Sequence, residues 1–317
     1  MIVPFLSFFF FTFKRRGETI VKRRGFSEAP YHLMLLPGVI LVLIYSYGPM
    51  FGLVIAFQDF IPANGFKSDW IGFGNFTYVW LLPDTLSVIW NTVYISLMKI
   101  VAGLVFPILI SLLLNEVHKS FIKRSVQTLI YLPHFLSWII LGGILIDILS
   151  PSEGIVNHAL QFFGLKPVYF LGDNSWFPYT VVLTDLWKEF GFSTIVYLAA
   201  LTSINPVLYE AAIVDGANRW RQTWHVTLPG MVPIIVLLTT LSLGNVLNAG
   251  FDQIFNLYSP QVYASGDIID TLVYRLGLVD AQFGPATAVG LFKSVVSFVF
   301  ISVSYLLAYR LANYRIF

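Results

Sequence analysis

Asn205–Gly230 reads NPVLYEAAIVDGANRWRQTWHVTLPG, a polar but helix-forming interruption between two long apolar runs. Asn205 suits a helix N-cap, and Pro206 suits the first turn, where the N–H it lacks would have no intrahelical partner. Val207 to Asp215 holds no breaker, and Gly216 offers the left-handed residue that closes a helix. Ala211, Ala212 and Ala217 keep part of the surface low, so another backbone can come close. Arg219 and Arg221 follow, and Pro229 precedes the apolar run Val232 to Leu243. The stretch reads as a short helix, a turn and a second short segment. It is a docking element held between two membrane-length runs.

The chain around it is built for lipid. Of its 317 residues, 57% are hydrophobic and only 11% charged, against about a quarter charged in soluble domains. Mean hydropathy is +0.76. The class is all-α and polytopic. A net charge of +2 gives no reason to invoke nucleic acid, and the absence of cysteine removes disulfides, thiolate metal sites and a cysteine nucleophile.

Six apolar runs have spanning length: Leu33–Phe57, Leu86–Leu114, Ser125–Leu149, Tyr179–Leu201, Val232–Phe251 and Ala288–Leu311. An even number puts both termini on one side. Thirteen of the 19 Lys and Arg lie in the N-terminal segment, the 115–124 and 202–231 loops and the C-terminal end. The opposite loops hold only Lys67, Lys166 and Arg275. Positive charge marks the cytoplasmic face, so both termini and the docking element are expected there.

The expected organisation is an N-terminal cytoplasmic or interfacial segment (1–30), a first span with its external loop (31–85), a five-span core (86–311) and a short tail (312–317). The apolar start to Phe13 is too short to span, and its charges follow it rather than precede it, unlike a cleaved signal. The external loops Gln58–Thr85, Ser150–Pro178 and Asp252–Thr287 are rich in Pro, Gly and aromatics. Within them Ile155–Phe163 reads as a short amphipathic helix.

Motifs for chemistry are missing. There is no phosphate loop, no H-E-x-x-H and no G-x-S-x-G. The five histidines are scattered, and His134, in Leu-Pro-His-Phe, reads as a packed helix-end residue. The chain is not expected to be an enzyme or to hold a metal. Charges inside spans are costly and imply partners or water. Lys99, Asp185, Lys188, Glu189 and Lys293 are therefore candidates for a polar pathway, with Asp147 near a span end. Asp185 and Lys188, three apart, could pair with each other.

Tyr209-Glu210-Ala211-Ala212-Ile213-Val214-Asp215-Gly216-Ala217, with Leu228-Pro229 eleven residues on, resembles the EAA loop of the membrane subunits of binding-protein-dependent ABC importers. Asn91-Thr92, Leu114–Val117, Tyr131–Phe135 and Ala286–Lys293 resemble the polysaccharide and oligosaccharide permeases of the carbohydrate branch. The resemblance covers residue 30 onward. It implies a type I importer permease fold and a bacterial inner-membrane location. It also implies that Glu210, Ala211, Ala212, Asp215, Gly216, Ala217, Leu228 and Pro229 couple the chain to a cytoplasmic ATPase.

The partners it implies are a second related permease, two ATPase subunits that bind the ATP and Mg, and an external solute-binding protein. The solute is expected to be a saccharide, an oligosaccharide above all. An acidic one, such as an alginate fragment, would suit Lys99 and Lys293, which have no acid one turn away on their own helix. The competing reading is a secondary carrier driven by an ion gradient, with Asp147, Asp185 and Glu189 as its ion sites.

Overall fold

A computed structural model of the chain describes residues 29–312, so the N-terminal apolar and basic segment and the tail past Ala312 lie outside the described residues. Helix α1, Ala29–Val42, belongs to a separate unit that ends at Gly52. Its helical path continues through a π turn at Leu43–Tyr47 into a 3₁₀ stretch, Gly48–Phe57. From Leu53 the second unit contains every other element. It begins with α2 (Gly74–Leu81), α3 (Thr85–Asn115), α4 (Ser120–Tyr131), α5 (Trp138–Ile148) and α6 (Ile155–Phe162). Next come α7 (Phe177–Thr202), α8 (Pro206–Val214), α9 (Arg219–Gln222) and α10 (Leu228–Gly244). The last are α11 (Phe251–Leu257), α12 (Tyr263–Gly266), α13 (Ile269–Tyr274) and α14 (Phe283–Ala312).

Among the described residues, four helical stretches are long and apolar enough to cross a membrane: Pro30–Phe57, Thr85–Asn115, Arg219–Gly244 and Phe283–Leu306. Two bent pairs bring the number to six when each pair is counted as one span. One of them corrects the sequence expectation of a continuous third span over Ser125–Leu149. There α4 with its 3₁₀ end and α5 meet at 104°. Pro133 has no N–H to donate to the α4 ladder, so the helix tightens to a 3₁₀ turn at Leu132–Phe135, and the chain then turns at Leu136 and Ser137, both extended. Ser137 then caps α5, accepting from the Ile140 amide at 3.4 Å.

The fifth span also differs from Val232–Phe251. It begins at Arg219, runs through a π turn at Thr223–Thr227 and ends at Gly244. Gly250, with φ of +92°, turns the chain before α11 starts. Residues 251–282 are therefore not a plain loop but a helical segment packed into the bundle.

The long helices α3 and α7 run parallel. Lys99 sits beside Asp185 near their middle, and Leu114 clusters with Tyr197, Leu198 and Leu201 at their C-terminal ends. Around their N-terminal halves, α11 to α13 are tied down by polar side chains. Asn91 donates to the carbonyls of Ala264 and Asp267, and Thr92 Oγ1 accepts the Ile269 amide at 2.9 Å. The expected amphipathic helix forms as α6, and buried Asn157 joins it to Ser150 and Val168.

Candidate functional site

The docking element forms as its residues dictate. Asn205 Oδ1 accepts the Val207 amide at 3.0 Å, and α8 leaves α7 at 67°. At its other end the Ala217 amide reaches the Ala212 carbonyl at 2.8 Å and Gly216 N reaches Ile213 O at 3.0 Å, with Gly216 at φ +76°. That is a Schellman closure, and it needs a residue free to adopt positive φ. No residue of α8 is buried, and Val214 is 86% exposed. A nine-residue helix capped at both ends keeps its shape while most of its surface stays open.

Two side-chain bonds tie α8 and its closing turn to the start of the fifth span: Tyr209 Oη with Thr227 Oγ1 at 3.0 Å, and Gln222 Nε2 to the Ala217 carbonyl at 2.9 Å. Glu210, Ala211, Asp215 and Gly216 are exposed, while Ala212 and Ala217 are half-buried. Leu228 and Pro229 open α10 directly, so the second short segment is the start of the fifth span rather than a separate piece.

The intramembrane lysines are paired, but not with the partners that spacing along one helix suggests. Lys99 Nζ donates to Asp185 Oδ1 at 3.2 Å, to the Ala249 carbonyl at 2.8 Å and to Gln253 Oε1. Gln253, with no exposed surface, donates in turn to Val181 O and Thr184 Oγ1. Asp185 thus pairs with Lys99 on α3 and not with Lys188 on its own helix. Parallel packing of α3 and α7 brings the ammonium to Asp185, whereas Lys188 points to the broken span.

There Lys188 Nζ donates to the His134 carbonyl at 2.9 Å and to Glu189 Oε1 at 2.8 Å, and lies 5.5 Å from the centre of the Trp138 ring. His134 Nδ1 meets Glu189 Oε2 at 2.7 Å, and its ring stacks on Phe192 at 4.1 Å. Breaking a helix frees carbonyls, and the lysine satisfies one of them. Gly191 allows the approach, because a Cβ there would collide with the Ile130 carbonyl. His134 is a packed helix-end residue, as read.

Lys293 pairs with Asp270 at 2.5 Å. Both lysines expected to suit an acidic solute therefore take a carboxylate from another helix, a partner that spacing along one helix cannot reveal. Sequence reading also missed the Asp267–Arg275 pair at 2.5 Å, with Asp267 buried and Arg275 over the Tyr263 ring at 4.9 Å. Its only signal was an arginine standing alone as the one Lys or Arg of the 252–287 segment. Gln253 carried no signal at all. Among the described residues no cluster of His, Cys, Asp or Glu could hold a metal.

The family model described as binding-protein-dependent transport system inner membrane component matches residues 103–313, a stretch that includes the docking element. The chain belongs to that family. It is a transport permease of a binding-protein-dependent system, not an enzyme. The permease is 41% identical, over 89% of its length and 87% of the relative's, to the polygalacturonan/rhamnogalacturonan transport system permease protein YteP of Bacillus subtilis. It is 27% identical, over 86% and 85% of the two chains, to the arabinooligosaccharides transport system permease protein AraP of the same organism. A chain in the crystal structure of a bacterial ABC transporter importing the acidic polysaccharide alginate superposes with a TM-score of 0.84. The two are 42% identical, and the match covers 90% of the permease and 96% of that chain. A related structure, of an alginate ABC transporter with an alginate pentasaccharide-bound periplasmic protein, gives 0.83 at 41% identity, over 90% and 95% of the chains. The permease has the ABC importer permease fold.

Proposed function

We propose that this permease forms half of the translocation pathway of an ATP-driven importer of oligosaccharides in a bacterial cytoplasmic membrane. A second related permease supplies the other half. Two ATPase subunits, which bind ATP and Mg, dock against α8, and an external binding protein delivers the solute. Both termini and α8 face the cytoplasm, as the distribution of Lys and Arg supports. The observation that carries the reading is α8: capped at both ends, bearing no buried residue, and held between two spans on polar anchors. Closure of the ATPases would move it as a unit and rock the attached spans between two orientations.

The substrate class rests on the relatives, whose names include galacturonan, alginate and arabinooligosaccharide systems. An acidic oligosaccharide is favoured because the chains near 40% identity include the alginate importer. The paired state of Lys99 and Lys293 does not add to that choice. It does weaken an ion-driven carrier, since Asp185 and Glu189 are already neutralised by lysines. The assembled complex in proteoliposomes provides the test. Uptake of alginate or galacturonan oligosaccharides should require ATP inside together with the loaded binding protein outside. Uptake driven by a proton or sodium gradient without ATP would overturn the reading.

A further inference from the structure

Helix α11 has two unlike faces. Gln253, Ile254 and Leu257 pack into the core with little or no exposure. Phe251, Phe255 and Tyr258, at i, i+4 and i+7, share the other face. That face does not end with the helix. Phe251 and Phe255 stack at 5.2 Å, Phe255 meets Tyr274 of α13 at 4.8 Å, and Phe255 lies 6.3 Å from Tyr258. Tyr258 stacks on Tyr263 of α12 at 5.1 Å. Five rings from three short helices make one continuous band, and none of the five is buried.

The band runs into a cavity of about 540 Å³ that Phe251 and Tyr274 also line, where the one charged lining group is Asp270. Its pairing with Lys293 holds that carboxylate in place, while Arg275, fixed by Asp267, backs the Tyr263 ring. Burial, then the Tyr263 phenol beside it, pushes the Tyr258 hydroxyl up to about 12, so it stays a neutral hydrogen-bond donor at physiological pH. A core-facing aromatic band would bury its rings fully. Half-exposed rings beside a concave site with a few placed polar groups are how small-solute sites are built.

We infer that the ring band of α11–α13, from Phe251 to Tyr263 with the adjoining Asp270 cavity, is a saccharide contact site on the permease. Sugar rings would lie on the aromatic faces and direct their hydroxyls to the tyrosines and Asp270. The site is separate from the Lys99 network, which lies on the opposite, buried face of α11. The inference rests on the oligosaccharide reading above.

The test uses the assembled importer in proteoliposomes with alginate pentasaccharide as the probe. Phe255→Leu and Tyr258→Leu remove a ring while keeping an apolar side chain. Each should lower uptake from loaded binding protein at least tenfold in a complex that still co-purifies with its ATPases, and Phe255→Trp should restore it. Wild-type uptake in both leucine variants would overturn the site. Should those variants fail to assemble, labelling decides, because the chain has no cysteine. Phe255→Cys should react with a maleimide more slowly when ATP and saccharide-loaded binding protein are added than with ATP and empty binding protein. Equal rates would overturn the site, since the binding protein alone would then account for any cover. No saccharide uptake by the intact wild-type complex would instead overturn the oligosaccharide reading itself.

Discussion

Lys99 of α3 and Asp185 of α7 meet at 3.2 Å, and the same ammonium bridges to Ala249 and Gln253 at the start of α11. One cation thus joins three segments far apart in sequence, at a depth where an unpaired charge would be costly. The lysine side chain is 10% exposed and the aspartate 26%, so the pair is mostly shielded and its loss should be felt in stability.

Lys99→Met strands the Asp185 carboxylate and removes the donor to Ala249 and Gln253. Breaking a buried pair this way costs about 3–5 kcal/mol, so the assembled complex should lose thermal stability or yield. Lys99→Met with Asp185→Leu should recover part of that loss, because no charge is left uncompensated. A single variant as stable as wild type, by thermal unfolding in detergent, would mean the network is not structural.

Gly191→Ala places a Cβ on the backbone carbonyl of Ile130. A backbone atom cannot swing aside as a side chain can, and overpacking typically costs about 1–3 kcal/mol. The variant should part α4 from α7, disturb the Lys188 bond to His134 and impair assembly. Normal assembly on size-exclusion chromatography would show that the broken span tolerates displacement.

Gly216→Val forces a β-branched residue into φ of +76°, and the left-handed region costs about 1–2 kcal/mol for such residues. Membrane insertion should survive, since no span is touched, while uptake should fall tenfold or more as α8 loses its closure. Ala212→Trp should have a similar effect by adding bulk to the small-residue face. Uptake and substrate-stimulated ATP hydrolysis at wild-type levels in both would remove the docking role of α8.

Orientation can be read by labelling. Asn174 and Asn218 are both exposed, and every introduced cysteine is unique in this chain. Asn174→Cys should react with an impermeant maleimide in intact spheroplasts, and Asn218→Cys only after the membrane is opened. The reverse pattern would turn the topology over.

The capped helix α8 and its closing turn were legible because their information is local. Asn205 caps, Pro206 starts, Gly216 closes, and each preference acts within a few residues of chain. Spans were legible as apolar length, for lipid demands that backbone groups bond within the segment. The break in the third span was half legible: Pro133 stood in the sequence, but nothing there told a tolerated kink from a 104° bend. That distinction depends on Gly191 and Lys188, some 55 residues away, which admit the broken end and satisfy its carbonyl.

The partners of the buried charges were not legible at all. Lys99, Asp185 and Lys293 could be recognised as needing partners, because charge in lipid must be compensated. Which residue compensates depends on helix register and on the parallel packing of α3 with α7, and no pattern along one helix carries that. For the same reason Gln253 read as an ordinary loop residue, Phe251 as the end of the fifth span, and Phe255 and Tyr258 as aromatics of the following loop. Composition and local chain preference decided that this is a membrane bundle carrying a capped, exposed helix between two spans. Only tertiary packing, which buries Gln253 beside Lys99 and turns the rings of the same helix outward, decided where its polar interior and its open aromatic face lie.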